Sequence, residues 1–206
     1  MEEEQLKVFD ENRTPIGIAA RSEIHKKGLW HETFHCWIVS EQDEQLYLYL
    51  QIRSPLKKDY PNLLDITAAG HLLAHEEAKD GVREMEEEIG ISVERDELIF
   101  LGVFHYEMNN GDILDKEFAH TFLYKRNIDF KDFKLQEEEV AGIVKTRLAD
   151  FYALWKGTSQ VIEVNGFEVS ENGERLKIHR MVGRDSFAPH PISYYNQLTQ
   201  ALKENL

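Results

Sequence analysis

An α/β fold built on a mixed β-sheet is predicted for this 206-residue chain, and three observations predict it. Runs rich in β-formers alternate with amphipathic segments, but without the even βαβαβ rhythm of an all-parallel sheet. Polar turns, three of them with Asn-Gly, separate several β-rich runs at hairpin distance. No linker rich in Gly, Ser or Pro, no internal repeat and no low-complexity tract divides the chain, so residues 1–206 are expected to form one domain.

Composition narrows the function classes. Hydrophobic residues make up 42% and charged residues 30%, which is ordinary for a globular chain. A net charge of −14 argues against a nucleic-acid duplex or an anionic membrane as the main partner. A small phosphate ligand stays open if metal ions and local basic residues reverse the potential at its site. Cys36 is the single cysteine, so no internal disulfide forms and a reducing compartment is the default. The acidic start, MEEEQLKVF, does not read as a signal peptide, and no apolar run approaches the ~20 residues of a membrane span. A cytoplasmic protein is the expectation.

The elements follow in order. Residues 6–9 and 16–20 are short apolar runs around the polar turn DENRTP, an opening hairpin. Ser22 is placed to cap a short helix that stops near Gly28. Residues 31–40 and 45–52 flank EQDE as paired strands. A loop with Pro55 and Pro61 follows and carries Arg53, Lys57 and Lys58. Residues 97–105 and 117–124 are strands around the turn NNGD; residues 140–146 are a further strand and 147–155 a helix. Residues 161–164 and 175–178 suggest a late hairpin, and an amphipathic helix runs from beyond Pro191 to about Glu204. Residues from about 157 to 206 are too few to be reliably stable alone, so this hairpin and helix are expected to pack on the same domain. They would either shape a pocket or build a homodimer contact.

Chemistry concentrates in residues 70–91, GHLLAHEEAKDGVREMEEEIGI. Ala78, Val82, Met85 and Ile89 recur at helical spacing and form an apolar stripe. Glu84, Glu87 and Glu88 stand at i, i+3 and i+4, so their side chains crowd a different face. Like charges four apart cost roughly 0.2–0.5 kcal/mol per pair, and Arg83 relieves only part of that. A carboxylate cluster retained at this cost is a candidate site for a hard cation such as Mg²⁺, which takes oxygen ligands. An acidic run by itself is more often a solvated face.

The order of residues outweighs that bland reading. Gly70, Glu76 and then Arg83-Glu84-Met85-Glu86-Glu87-Glu88-Ile89-Gly90-Ile91 resemble the signature of the Nudix hydrolase superfamily. Only six residues, Glu77 to Val82, lie between Glu76 and Arg83, one fewer than the signature has. The resemblance implies a Nudix-type α/β/α sandwich, with the late hairpin and helix as a C-terminal addition. It also implies Mg²⁺, with Mn²⁺ as a substitute, held by Glu84, Glu87, Glu88 and the carbonyl of Gly70. Arg83 would orient a glutamate, and Glu84 and Glu117 are the candidate general bases.

The flanks resemble one branch of that superfamily, the type I isopentenyl-diphosphate isomerases. HETFHCW from His31, the spacing of Arg53, Lys57, Lys58 and Pro61 to Ala69-Gly70-His71, and Asp115-Lys116-Glu117 carry this second resemblance. In that branch basic residues hold diphosphate, which assigns Arg53, Lys57 and Lys58 to substrate phosphate. Histidines there bind a metal with the later carboxylates, which makes His31 and His71 a candidate second metal site. The position of the isomerases' catalytic cysteine is Ala69 here, and a methyl group transfers no proton. The expectation is therefore a Mg²⁺-dependent hydrolase of a diphosphate bond in a small molecule, a nucleoside diphosphate linked to another moiety being the leading class. An isopentenyl-diphosphate isomerase-like enzyme and a non-catalytic module that binds diphosphate ligands are the alternatives.

Overall fold

A long strand through the middle of the chain decides the architecture. Residues Trp30–Gln42 (β3) are buried without a break from Thr33 to Ser40, as suits a strand covered on both sides. In the computed structural model, which describes residues 3–110, 113–170 and 172–206, β3 runs through an eleven-stranded mixed sheet.

Before β3 come the hairpin Gln5–Phe9 (β1) and Pro15–Ala20 (β2) and the short helix Arg21–Lys27 (α1). After it come Gln45–Arg53 (β4), Leu64–Asp65 (β5), Ala68–His71 (β6) and the helix Arg83–Ile89 (α2). Then follow Ile99–Asn110 (β7), Ile113–Lys125 (β8), Val140–Arg147 (β9) and Leu148–Lys156 (α3). Ile162–Val169 (β10), Arg175–Val182 (β11) and Ile192–Asn205 (α4) close the chain. β3 pairs in parallel with β8 and antiparallel with β4 and β6, which is what makes the sheet mixed.

The period of two along β3 sends its side chains into two cores. Phe34, Cys36 and Ile38 join Met85 and Ile89 of α2 on one face. Trp37 and Val39 join Phe151 and Leu154 of α3, and Tyr194, Leu198 and Leu202 of α4, on the other. Each such side chain, when fully buried, contributes roughly 1.5–3 kcal/mol, so helices are held on both faces as in an α/β/α sandwich. The β10–β11 hairpin extends the sheet through β9, and Ile162 and Val164 share the core cluster of α3 and α4. Among the described residues no helix is long and apolar enough to cross a membrane.

Some local expectations are corrected. Ser22 lies inside α1, and the N-cap is Ala20 with no side-chain cap. The apolar stripe expected to make one helix from Ala78 is split: residues Ala78–Val82 wind as a 3-10 helix, and α2 begins at Arg83. Asn165-Gly166 is not a turn but lies within β10, where a Cβ on Gly166 would come within 2.0 Å of the Ile143 carbonyl oxygen. The later pair turns the hairpin, with Gly173 at φ +76°. Gly111 and Asp112 of the expected NNGD turn lie outside the described residues.

Candidate active site

The acidic helix is seated by its apolar side. Met85 and Ile89 are fully buried against the sheet, and this fixes where the glutamates point. Glu88 is buried and accepts the Ala69 backbone N–H at 3.1 Å, tying α2 to β6. Arg83 is the hub between them: it reaches Glu76 at 2.6 Å, Glu84 at 2.7 Å, Glu87 at 3.0 Å and the His71 carbonyl at 3.0 Å. Glu76 also accepts the Leu73 N–H at 2.8 Å. The residue missing between Glu76 and Arg83 is absorbed by the 3-10 turn, which rises more per residue than an α-helix, and the Glu76–Arg83 pair survives.

Arg83 does not neutralise this cluster. Burial pushes Glu84 up to about 7 against the pull of Arg83, with Glu87 adding to the rise. Burial and then the Glu84 charge push Glu88 up to about 8. Two buried carboxylates that resist ionisation beside a half-exposed third form an oxygen donor set that a divalent cation would fit.

A second cluster assembles from α1, β3, β6 and β8. His25 Nε2 lies 3.2 Å from His71 Nε2, and the His31 and His71 rings stack with centroids 5.1 Å apart. Asp115 Oδ1 stands 3.5 Å from His31 Nε2 and 3.7 Å from His25 Nε2. Burial leads in keeping all three imidazoles neutral: His25 falls to about 4, and His31 and His71 are lowered as well. Ligand atoms of His25, His31 and His71 all lie within 4.8 Å of one another, as do those of His31, Asp115 and Glu117. His31 Nε2 and Asp115 Oδ1 are buried without a hydrogen-bond partner, and a buried polar atom left so costs about 1–3 kcal/mol. Neutral imidazoles beside carboxylates suit a first-row divalent metal such as Mn²⁺, Fe²⁺ or Zn²⁺. The sequence names His31 and His71 for this site and, through the resemblance, the later carboxylates; the fold brings Asp115 and Glu117 beside them and adds His25.

Asp115 and Glu117 divide one charge. Burial alone would raise both, yet hydrogen bonding from His35 holds Glu117 well below the usual carboxylate range. Asp115, buried beside that charge, is pushed well above it. Glu117 and Tyr106 face each other across the β7–β8 ladder, and the Tyr106 hydroxyl donates to Glu117 at 2.7 Å.

Both clusters open into one cavity of about 240 Å³, lined among others by Glu84, Glu87 and Glu88, by His71 and Glu117, and by Lys57. No family model matches the chain. An uncharacterized Nudix hydrolase of Clostridium acetobutylicum is 38% identical over 205 residues, covering the whole of both chains. This chain belongs to the Nudix hydrolase family. An isopentenyl-diphosphate Δ-isomerase of Aliivibrio fischeri is 31% identical over 144 residues, 68% of this chain and 78% of that one. Among solved structures, the MutT protein of Methanosarcina mazei Go1 superposes with a TM-score of 0.52 at 16% identity, over 85% of this chain and 95% of that one. That likeness shows the Nudix fold, in agreement with the predicted sandwich.

Within the Nudix chain the basic loop divides into three cases. Arg53 is engaged by its own protein: Asp65 at 2.8 Å, Asp59 at 3.0 Å and the carbonyls of Asp59 and Tyr60 take most of its donors. His190, just before α4, holds the same Asp65 at 2.9 Å. Lys57 pairs with Glu139 at the cavity, whereas Lys58 is exposed and does not line it. Asp65, His190, Tyr106 and Tyr194 had no motif to announce them. The pairing of β5 with β4, the register of β7 on β8 and the docking of α4 bring them to the site.

Ala69 lies in β6 directly opposite His35 of β3, and it lines the cavity. Cys36 cannot replace the missing cysteine: it packs in the core on the α2 face, and burial pushes its thiol far up.

Proposed function

We propose that this Nudix chain is a divalent-cation-dependent hydrolase that cleaves a diphosphate bond in a small molecule, with a nucleoside diphosphate linked to another moiety as the leading substrate class. One observation carries the reading: Glu84, Glu87 and Glu88 line the same cavity as Lys57, while Ala69 there offers no proton-transferring group. Glu84, Glu87, Glu88 and the Gly70 carbonyl would hold Mg²⁺ or Mn²⁺, and His25, His31, His71 and Asp115 a second ion. A bound cation neutralises charge on the phosphoryl group and lowers the pKa of water. The chain's own part is orientation. Arg83 fixes Glu84 and Glu87, and Lys57 offers positive charge to substrate phosphate. Glu84 and Glu117 are the candidate bases: three donors orient Glu117 but weaken it as a base, whereas Glu84 is raised to about 7.

The test is a screen of purified protein with Mg²⁺ and with Mn²⁺ against dinucleotides, nucleotide sugars, coenzyme A, nucleoside triphosphates and prenyl diphosphates. Hydrolysis of at least one class, lost on removing the cation, is expected. Cation binding with no turnover of any class would make the chain a ligand-binding module instead.

A second reading has one observation in its favour. The cluster of His25, His31, His71, Asp115 and Glu117 is what the likeness to isopentenyl-diphosphate isomerases implies. Proton exchange into isopentenyl diphosphate would establish it; phosphate release without exchange is the outcome expected.

A further inference from the structure

Glu117 receives three donors on one oxygen, and the third is governed from the C-terminal helix. The Thr33 and Tyr106 hydroxyls reach Glu117 Oε2 at 2.8 and 2.7 Å, and His35 Nε2 stands 3.2 Å from the same atom. A hydroxyl turns its proton to suit, but a neutral imidazole has a single N–H to place on one nitrogen or the other. At the far side of the ring, His35 Nδ1 lies 2.9 Å from the Tyr194 hydroxyl of α4. The Trp37 indole, which can only donate, gives its N–H to that same hydroxyl oxygen at 3.2 Å.

With the imidazole neutral, one proton arrangement satisfies the shortest contacts of the chain; the Thr33 hydroxyl, 3.4 Å from His35 Nε2, keeps its shorter bond to Glu117. Trp37 donates to Tyr194, Tyr194 donates to His35 Nδ1, and His35 Nε2–H donates to Glu117. The opposite tautomer would aim an imidazole lone pair at a carboxylate. All four side chains are buried, where a mispaired polar group is costly. Ring contacts hold Tyr194 in place independently of its hydroxyl: Tyr106 lies 5.3 Å and His190 4.9 Å from it, centroid to centroid.

We infer that Tyr194 is a positioning residue for Glu117, its hydroxyl fixing His35 in the Nε2–H tautomer so that Glu117 keeps its third donor and its orientation. The role in turnover rests on the hydrolase reading above; the tautomer does not. The C-terminal addition is then part of the active site rather than an appendage to it.

The experiment uses the full chain with ¹⁵N-labelled histidine and reads the imidazole nitrogens by NMR at mildly alkaline pH. The His35 signals are assigned by their loss in H35Q. Wild type is expected to show the Nε2–H pattern, and Y194F a shift toward Nδ1–H. A wild-type Nδ1–H or doubly protonated pattern, or a Y194F spectrum identical to wild type at His35, overturns the inference.

Turnover supplies the second readout, on whichever diphosphate the screen finds hydrolysed. Y194F should lower kcat about 10–100-fold, the range for loss of an orienting partner, with KM within about twofold. H35Q carries its donor on an amide that has no tautomer, so adding Y194F to H35Q should cost under about twofold more. Equal losses in both backgrounds would mark Tyr194 as a packing residue. If no diphosphate is hydrolysed, the hydrolase reading falls alone, because the NMR result still decides the tautomer.

Discussion

The Glu84 carboxylate covers Gly70 so closely that a Cβ at position 70 would lie 2.2 Å from the Glu84 carboxyl carbon. Gly70→Ala must therefore displace either the carboxylate or β6. The clash is with the end of a flexible side chain, so the carboxylate moves first and at modest cost in stability. A lower melting temperature is expected together with weaker Mn²⁺ binding by calorimetry. Unchanged Mn²⁺ affinity in a folded variant would separate Glu84 from the cation site.

Glu87→Gln and Glu88→Gln should each lower kcat by at least about 100-fold, since losing one carboxylate ligand removes several kcal/mol of transition-state stabilisation. The fold should survive in both. Glu87 is half exposed, and Glu88 in its amide form no longer resists burial. Near-wild-type turnover in both variants would reject the assignment of α2 as cation ligand.

Metal-free stability should fall as pH rises from about 6.5 to about 8. Glu88 and Glu84 are raised in the folded state to about 8 and about 7, so here the native chain holds protons that the unfolded chain has released. Each such proton lowers stability by about 1.4 kcal/mol per pH unit. The buried histidines act with the opposite sign, because their folded values are depressed, but their contribution is complete above the ordinary value of 6.5. Chemical unfolding of chelated protein across this window is the measurement. The slope should lessen in Glu88→Gln and reverse on adding Mg²⁺; a flat wild-type profile would contradict the raised carboxylates.

Arg53→Ala and Lys57→Ala should fail in different ways. Removing Arg53 strips Asp65 of one buried partner and is expected to cost about 3 kcal/mol, the lower end for breaking such a pair because His190 remains. Lys57→Ala should mainly raise KM, and Lys58→Ala should do so least. Melting curves and steady-state kinetics side by side would show it, and equal KM effects for the two lysines would contradict it.

Truncation after Gly157 should give an aggregating chain. It uncovers the β9 edge and removes Tyr194, Tyr195, Leu198 and Leu202 from the core shared with α3. A soluble 1–157 fragment that unfolds cooperatively and retains full activity would show the segment to be dispensable.

The signature in residues 70–91 was legible because it is local. Arg83, Glu84, Glu87 and Glu88 lie within one helix, so their spacing along the chain already sets their spacing in space, and Gly70 of β6 and Glu76 stand shortly before it in the chain. The alternation of β3 and β4 and the late hairpin were legible for the same reason, though not their ends: Asn165-Gly166 has turn chemistry and still lies in a strand, because pairing with β9 outweighs local preference.

What the sequence by itself determined, then, was the acidic helix, the class of fold and the loss of the cysteine at Ala69. Only the tertiary structure decided how these become a site. The parallel pairing of β3 with β8 sets His31 opposite Glu117, some eighty residues on, and β6 sets His71 opposite Thr33. No periodicity within either strand encodes a partner's register; that is settled by which faces both helix layers can bury. The same holds for Arg53, whose charge is visible in the sequence while Asp59 and Asp65, which occupy it, are brought there by the fold. Tyr194 is the extreme case: an apolar stripe on α4 is all the sequence requires of it, and its hydroxyl reaches His35 because burying that stripe leaves it nowhere else to go.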